Sequence, residues 1–154
     1  MKSEKQLQSL RLGCAGEYMT AAMMNLFGWD AALTQKNYPS VDIFGHNAKI
    51  DKDVRIQVKT ASAKQSSYLI GFAHDKLQNM QTDVEGPYVF VHFKNGTTPD
   101  FYILDKDEFI SLVLADDAVY FNRPRKKPIR PDYPVALSIK VLQPYKDKWE
   151  NLWK

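Results

Sequence analysis

Cysteine is all but missing from this chain: among 154 residues only Cys14 carries a thiol. That excludes an intrachain disulfide and a thiolate-built metal site, and it suits a reducing compartment. A strong charge of either sign is missing too. With 21 Lys and Arg against 18 Asp and Glu the formal net charge is +3, a weak pull towards polyanions and no more. No apolar run approaches the ~18 residues that a membrane-spanning helix needs. The start, MKSEKQLQSLRLG, has no apolar core of the signal-peptide kind. Internal repeats and long linkers are absent as well. These absences lead to the expectation of a cytoplasmic protein, not bound to a membrane, folded as a single domain over residues 1–154. A composition that is 44% hydrophobic and 25% charged fits such a domain.

What is present is periodic. Leu7, Leu10, Cys14, Glu17, Ala21 and Met24 recur at spacings of three and four, which predicts one stripe of an amphipathic helix from Ser3 to Leu26, ended by Gly28. Glu17 is the one carboxylate on that stripe. An ionised group there is costly unless it meets a cation, a metal or solvent in a cleft. Trp29–Thr34 and Val41–Phe44 read as short strands, and Val54–Thr60 as a longer one returning after the turn-rich GHNAKIDKD, so that the last two form a hairpin. YLIGF, PYVFVHF, DFYIL and VALSIKVL are further strands, and HDKLQNMQTD a short helix or irregular connection. Asp105 and Glu108 have capping-box spacing ahead of the helix EFISLVLA, and YKDKWENLWK reads as a closing helix. The pattern predicts an α/β or α+β domain with a mostly contiguous sheet.

The alternation in VRIQVKTAS sets Val54, Ile56 and Val58 on one face and Arg55, Gln57 and Lys59 on the other. By itself that second face reads as a solvated strand surface. In the preceding strand Val41 and Ile43 share a face, which turns Asp42 to the opposite one. Glu17, Asp42 and Gln57 offer oxygen atoms, the donor set of a hard cation such as Mg²⁺, with Mn²⁺ as a substitute. Lys59 beside them offers charge to a phosphate. Together these residue types suit metal-assisted phosphodiester hydrolysis.

The order of these signals, Glu in GEYMTAAMMNLFGW, Asp in PSVDIFG and then QVKT after a turn, resembles the PD-(D/E)XK nuclease superfamily. The resemblance covers residues 13–62 closely and the other elements in type. It implies a restriction-endonuclease-like α-β-β-β-α-β core with a central mixed sheet flanked by helices, and a Mg²⁺-dependent endonuclease acting on DNA, with a homodimer as one way to cut both strands. By motif position it implies Asp42 as metal-binding carboxylate, Gln57 as second ligand, Lys59 as catalytic lysine and Glu17 as the helix carboxylate of the resolvase-like branches. Two positions depart from the pattern: Val41 stands where the proline before Asp is usual, and Gln57 replaces Asp or Glu. A neutral Gln57 removes one negative charge, which weakens Mg²⁺ binding unless Glu17 compensates. The alternative function is therefore a weak or inactive nuclease-fold protein that binds nucleic acid or a protein partner.

Outside this constellation, NRPRKKPIRPDYP holds four prolines and five basic residues, Arg123, Arg125, Lys126, Lys127 and Arg130. It reads as an exposed loop that either tracks a phosphate backbone or is simply solvated. Tyr120 and Phe121 before it suit base stacking or the core. His46 reads as a loop residue, His74 and His92 show no convergent partners in sequence, and Cys14 reads as packing. Trp149 and Trp153 suit a partner surface or docking of the chain end onto its own domain.

Overall fold

The computed structural model describes residues 1–35 and 38–154. Helix α1 spans Glu4–Leu26 and starts at a complete capping box, in which the Ser3 hydroxyl accepts from the Gln6 amide and the Gln6 side chain accepts from the Ser3 amide. It ends where Gly28 adopts φ +84°, as expected. Strands β1 (Asp30–Leu33), β2 (Ile43–Asn47) and β3 (Lys52–Ser62) follow as an antiparallel meander. After β4 (Ser67–Ala73) a 3-10 turn over His74–Asn79 leads into the one-turn helix α2 (Met80–Asp83). Strand β5 (Tyr88–Phe93) lies parallel to β3, and β6 (Asp100–Leu104) antiparallel to β5. Helix α3 (Lys106–Phe121), capped by Asp105 and Glu108 as expected, and strand β7 (Pro134–Ser138) complete the regular elements. Among the described residues no helix is long and apolar enough to cross a membrane.

The expected α+β class is present around a mixed five-stranded sheet ordered β1-β2-β3-β5-β6, and the expected α-β-β-β-α-β order is met by α1-β1-β2-β3-α2-β5, with β4 inserted between β3 and α2 outside this sheet. Both faces of this sheet are covered, which is why all six residues of β5 are buried. One face carries Ile43, Ile56, Val58, Val89 and Val91 against Met24 and Trp29. The other carries Phe90, Tyr102 and Leu104 against Phe109 and Val113 of α3 and Tyr68 and Leu137 of the second sheet.

Several expectations need correction. The sheet is not contiguous: β4 and β7 pair only with each other, as a two-stranded antiparallel sheet. VALSIKVL is strand only as far as Ser138, because the Ile139 and Val141 amides turn to the Ser66 and Ser138 carbonyls and send Leu142 into the core. The closing helix is instead two 3-10 turns, separated at Asp147 with φ +55°. Trp149 is buried against Phe27 and Phe101, and Trp153 meets Trp29 edge-on, so the chain end docks on its own domain. The buried line of α1 is Gly16, Thr20 and Met24, while Leu7 is exposed and Leu10, Cys14, Glu17 and Ala21 lie on its flank. Contact distance, more than hydrophobicity, rotates the helix.

Gly16 shows why. A Cβ placed there would fall 2.0 Å from Thr60 Oγ1, so α1 approaches β3 as closely as a hydrogen atom at that position permits. Gly16→Ala should therefore destabilise the protein by about 1–3 kcal/mol through overpacking. Thr60→Ala in the same chain should restore part of that loss. Urea unfolding of the two single variants and the double variant reads the coupling, and strictly additive effects would refute the close approach.

Candidate active site

The chain reaches Asp42 already fastened on both sides. The Thr34 amide and hydroxyl donate to the Asp42 and Val41 carbonyls at 2.9 and 2.8 Å, and the Asp42 amide donates to the Ile56 carbonyl at 2.8 Å. The next place in the ladder is taken by a side chain: Asp42 Oδ2 accepts from the Val58 amide at 2.7 Å. That substitution is why β2 begins at Ile43 and not at Val41 as expected. Its effect is to lock the carboxylate against β3 at the point where Gln57 and Lys59 emerge.

Gln57 completes the lock, its Nε2 donating to the same Asp42 Oδ2. Both hydrogen bonds fall on one oxygen, which leaves Oδ1 with capacity for a cation. The amide orientation of Gln57 follows from its partner, since a carboxylate only accepts. Lys59, two residues further along the same face, lies in the field of Asp42. An exposed ion pair would lower the aspartate and raise the lysine. Here burial dominates both, holding the Asp42 carboxyl above its ordinary range against the Val58 amide and Lys59, and the Lys59 ammonium below its ordinary range against Asp42. Burial and the charge of Asp42 likewise raise the Tyr88 phenol, so it stays neutral. Tyr88 sits opposite Gln57 in the parallel ladder and stacks on Phe109 at 3.7 Å. It shares with Gln57 and Lys59 a cleft of about 710 Å³. Sequence reasoning took it only as a strand residue, because its relation to Gln57 comes from a parallel pairing across an intervening strand and helix.

Glu17 arrives from α1. It is half-buried and lines, with Asp42, Thr34 and Cys14, a second cleft of about 640 Å³ on the other side of the Asp42 carboxylate. Asp42 lines this cleft and Gln57 the one beside Lys59, and the hydrogen bond between the two side chains joins them. Among the described residues no group of three or more His, Cys, Asp or Glu side chains is placed to hold a metal. Asp42 and Glu17, which line one cleft, and Gln57, which bonds Asp42, are the oxygen donors through which Mg²⁺ would be held, since it takes one or two protein carboxylates and retains water.

The other candidates resolve differently. His46 bonds Asp53 at 2.8 Å across the β2–β3 hairpin. Arg125 bonds back to the Tyr120 and Phe121 carbonyls at the end of α3, and Arg130 forks onto Asp132, so these two guanidinium groups are engaged within the chain. Arg123, Lys126 and Lys127 are exposed. His74, for which the sequence offered no partner, lies 2.6 Å from Asp117 Oδ2 and stacks between Phe121 and Tyr133. Partners 43 and 59 residues away leave no local signal.

The fold and site define an α+β domain with a mixed central sheet whose hairpin presents an Asp–Gln–Lys group to two adjoining clefts. No family model and no curated protein matches the sequence. Among solved structures the chain is similar to Hjc of Archaeoglobus fulgidus, a Holliday junction resolvase from an archaeal hyperthermophile. The identity is 12% and the TM-score 0.47, over 87% of this chain and 88% of that one.

Because burial raises Asp42, its charged form is a cost to the fold at all pH values above the raised pKa. The cost disappears below the unfolded value, where both states are protonated. Asp42→Asn keeps an acceptor for Val58 and Gln57 and removes the charge. In metal-free buffer at pH 7 it should melt no lower than the parent protein, each kcal/mol relieved raising Tm by about 2–4 °C. The difference should close as pH falls through the Asp42 range. A drop of many degrees in scanning calorimetry at neutral pH would show instead that the charge itself holds the hairpin.

Proposed function

We propose that this chain is a divalent-cation-dependent endonuclease of the PD-(D/E)XK superfamily, one domain over residues 1–154, hydrolysing DNA phosphodiester bonds at the paired clefts beside Asp42. The observation that carries the reading is the Asp42 carboxylate fixed by Gln57 and the Val58 amide, with Lys59 in its field and both ionisable groups displaced from their ordinary values by burial. Asp42 and Glu17, with the Gln57 carbonyl, would hold Mg²⁺ or Mn²⁺, which when bound supplies Lewis acidity and a more acidic water.

The chain's own groups do the rest. Val58 and Gln57 keep one Asp42 oxygen occupied, so the other is the one presented. Through burial, Lys59 loses its proton more readily than a solvated lysine does. It can therefore offset charge on a scissile phosphate or pass a proton to the leaving oxygen. Gly71 lies beside it. In β4 this residue has φ +88° within a bulge, where Leu69 to Ala73 span only Ala136 to Pro134 of β7, and a Cβ there would stand 3.8 Å from Lys59 Nζ.

Plasmid DNA with Mg²⁺ or Mn²⁺ should be nicked or linearised. Lys59→Ala and Asp42→Asn should each lower the rate by at least ~10²-fold, the scale of losing an electrostatic stabiliser. The rate should rise with pH as Asp42 ionises and fall at a pH below the usual lysine range as Lys59 loses its proton. Intact DNA with the parent protein across metals and substrates would sink the reading.

A second reading, a nuclease-shaped binding module, is favoured by one observation: Gln57 spends its amide on Asp42 and brings no charge. Calorimetric titration separates the two. Mg²⁺ or Mn²⁺ binding abolished by Asp42→Asn and tightened by Gln57→Glu supports the enzyme, whereas no binding to either protein supports the module.

A further inference from the structure

A separate cavity of about 280 Å³ lies where the end of α3 meets β7, bounded by Tyr120, Tyr133 and Val135, with Asp116 and Arg123 at its polar side and Ser67 of β4 at its end. It is smaller than sites for drug-sized ligands, which begin near ~300 Å³, and has the size for one flat ring system. Its walls are held from behind. Asp117 is almost fully buried and both its oxygens are engaged, Oδ2 with His74 and Oδ1 accepting from the Tyr133 hydroxyl at 2.6 Å. Arg125 stacks 4.6 Å from the Tyr120 ring centre while bonding the last carbonyls of α3. Both tyrosines are thereby fixed as surfaces.

Asp116 differs from its neighbour. It is half-buried at the cavity, where Arg123 is its charge partner. Burial holds its carboxyl above the ordinary range, with Arg123 opposing and Asp117 adding to the rise. A half-buried carboxylate lining a cavity beside the exposed Tyr120 ring suits a planar ligand that carries N–H donors. Arg123, 5.6 Å from the Tyr120 centre, and the exposed Lys126 and Lys127 beside it suit an anionic strand attached to that ring. Ser67 also lines the groove that contains Lys59. From Ser67 to Gly71, beside Lys59 Nζ, strand β4 covers four steps of about 3.3 Å, or about 13 Å.

We infer that this cavity holds one unstacked nucleobase of a single DNA strand, its ring on Tyr120 and its exocyclic amine donating to Asp116, while the strand continues along β4 towards Lys59. The choice of DNA as ligand rests on the nuclease reading; the base selectivity rests on the cavity alone. Cytosine and adenine carry amines where thymine carries a carbonyl oxygen, so the pocket discriminates against thymine.

The test uses the full chain with Lys59→Ala, in EDTA, and short fluorescent strands of oligo-dC, oligo-dA and oligo-dT, together with an oligo-dC carrying a single 2-aminopurine. Oligo-dC and oligo-dA should bind about tenfold more tightly than oligo-dT, and 2-aminopurine fluorescence should fall on binding. Tyr120→Ala, at a ring 41% exposed and so replaceable without unfolding, should weaken oligo-dC about tenfold and abolish the quench. Asp116→Asn, whose amide both donates and accepts, should narrow the preference over oligo-dT while the quench stays. Equal binding of the three strands, or an unchanged quench in Tyr120→Ala, overturns the inference. DNA cleavage without base preference would remove only this pocket. Base preference without cleavage by the parent protein would remove only the catalysis.

Discussion

The Val58 amide donating to the Asp42 carboxylate is the bond on which the arrangement turns. In an antiparallel pair a backbone carbonyl would take that amide. Here a side chain takes it, and the hairpin becomes a holder for a charged group. The remaining fastenings follow: Thr34 and Ile56 fix the backbone of Asp42, Gln57 fixes its side chain, and the pleat then brings out Lys59 on the same face. The close approach of α1 at Gly16 has the complementary effect, setting the flank of the helix, and Glu17 with it, at the cleft that Asp42 lines.

Neither charge at the centre of this arrangement stabilises the fold by being there. Burial acts against the ionised form of Asp42 and of Lys59, and their mutual attraction does not offset it. Evolution has few structural reasons to keep two half-buried charges where two apolar residues would pack. The surrounding core is conventional, with β5 buried on both faces and aromatic contacts from Tyr88 through Phe109 to Phe90. The displacement of both Asp42 and Lys59 by burial is a departure from that conventional packing, at the point where the hairpin meets the two clefts.

Much of this could be read from the residues alone, for physical reasons. Strand alternation has a period of two, so Gln57 and Lys59 had to share a face, and the register Ile43 to Ile56 brings Asp42 to that face too. The Ser3 and Asp105 caps and the Gly28 stop are local interactions, legible within a few residues. What stayed hidden depends on contacts between distant segments. The orientation of α1 is set by small residues meeting β3, and hydrophobic spacing pointed to its flank instead. The separate β4–β7 sheet joins strands some 65 residues apart in a long-range pairing that has no sequence marker. Arg125 reads as a free cation in sequence but spends its donors on the end of α3.

The clasp of His74, Asp117 and Tyr133 ties the end of β4, the last turns of α3 and the start of β7 into one block. That block meets the central sheet through apolar packing, since no ladder joins the two sheets. Opening the block would cost that apolar packing but no hydrogen bond of the central ladder. A breathing motion of the block would widen the groove beside Lys59 while Asp42 and Val58 remained bonded. Width of the groove would then depend on the packing of the block, and the position of the Asp42 carboxylate on the hairpin.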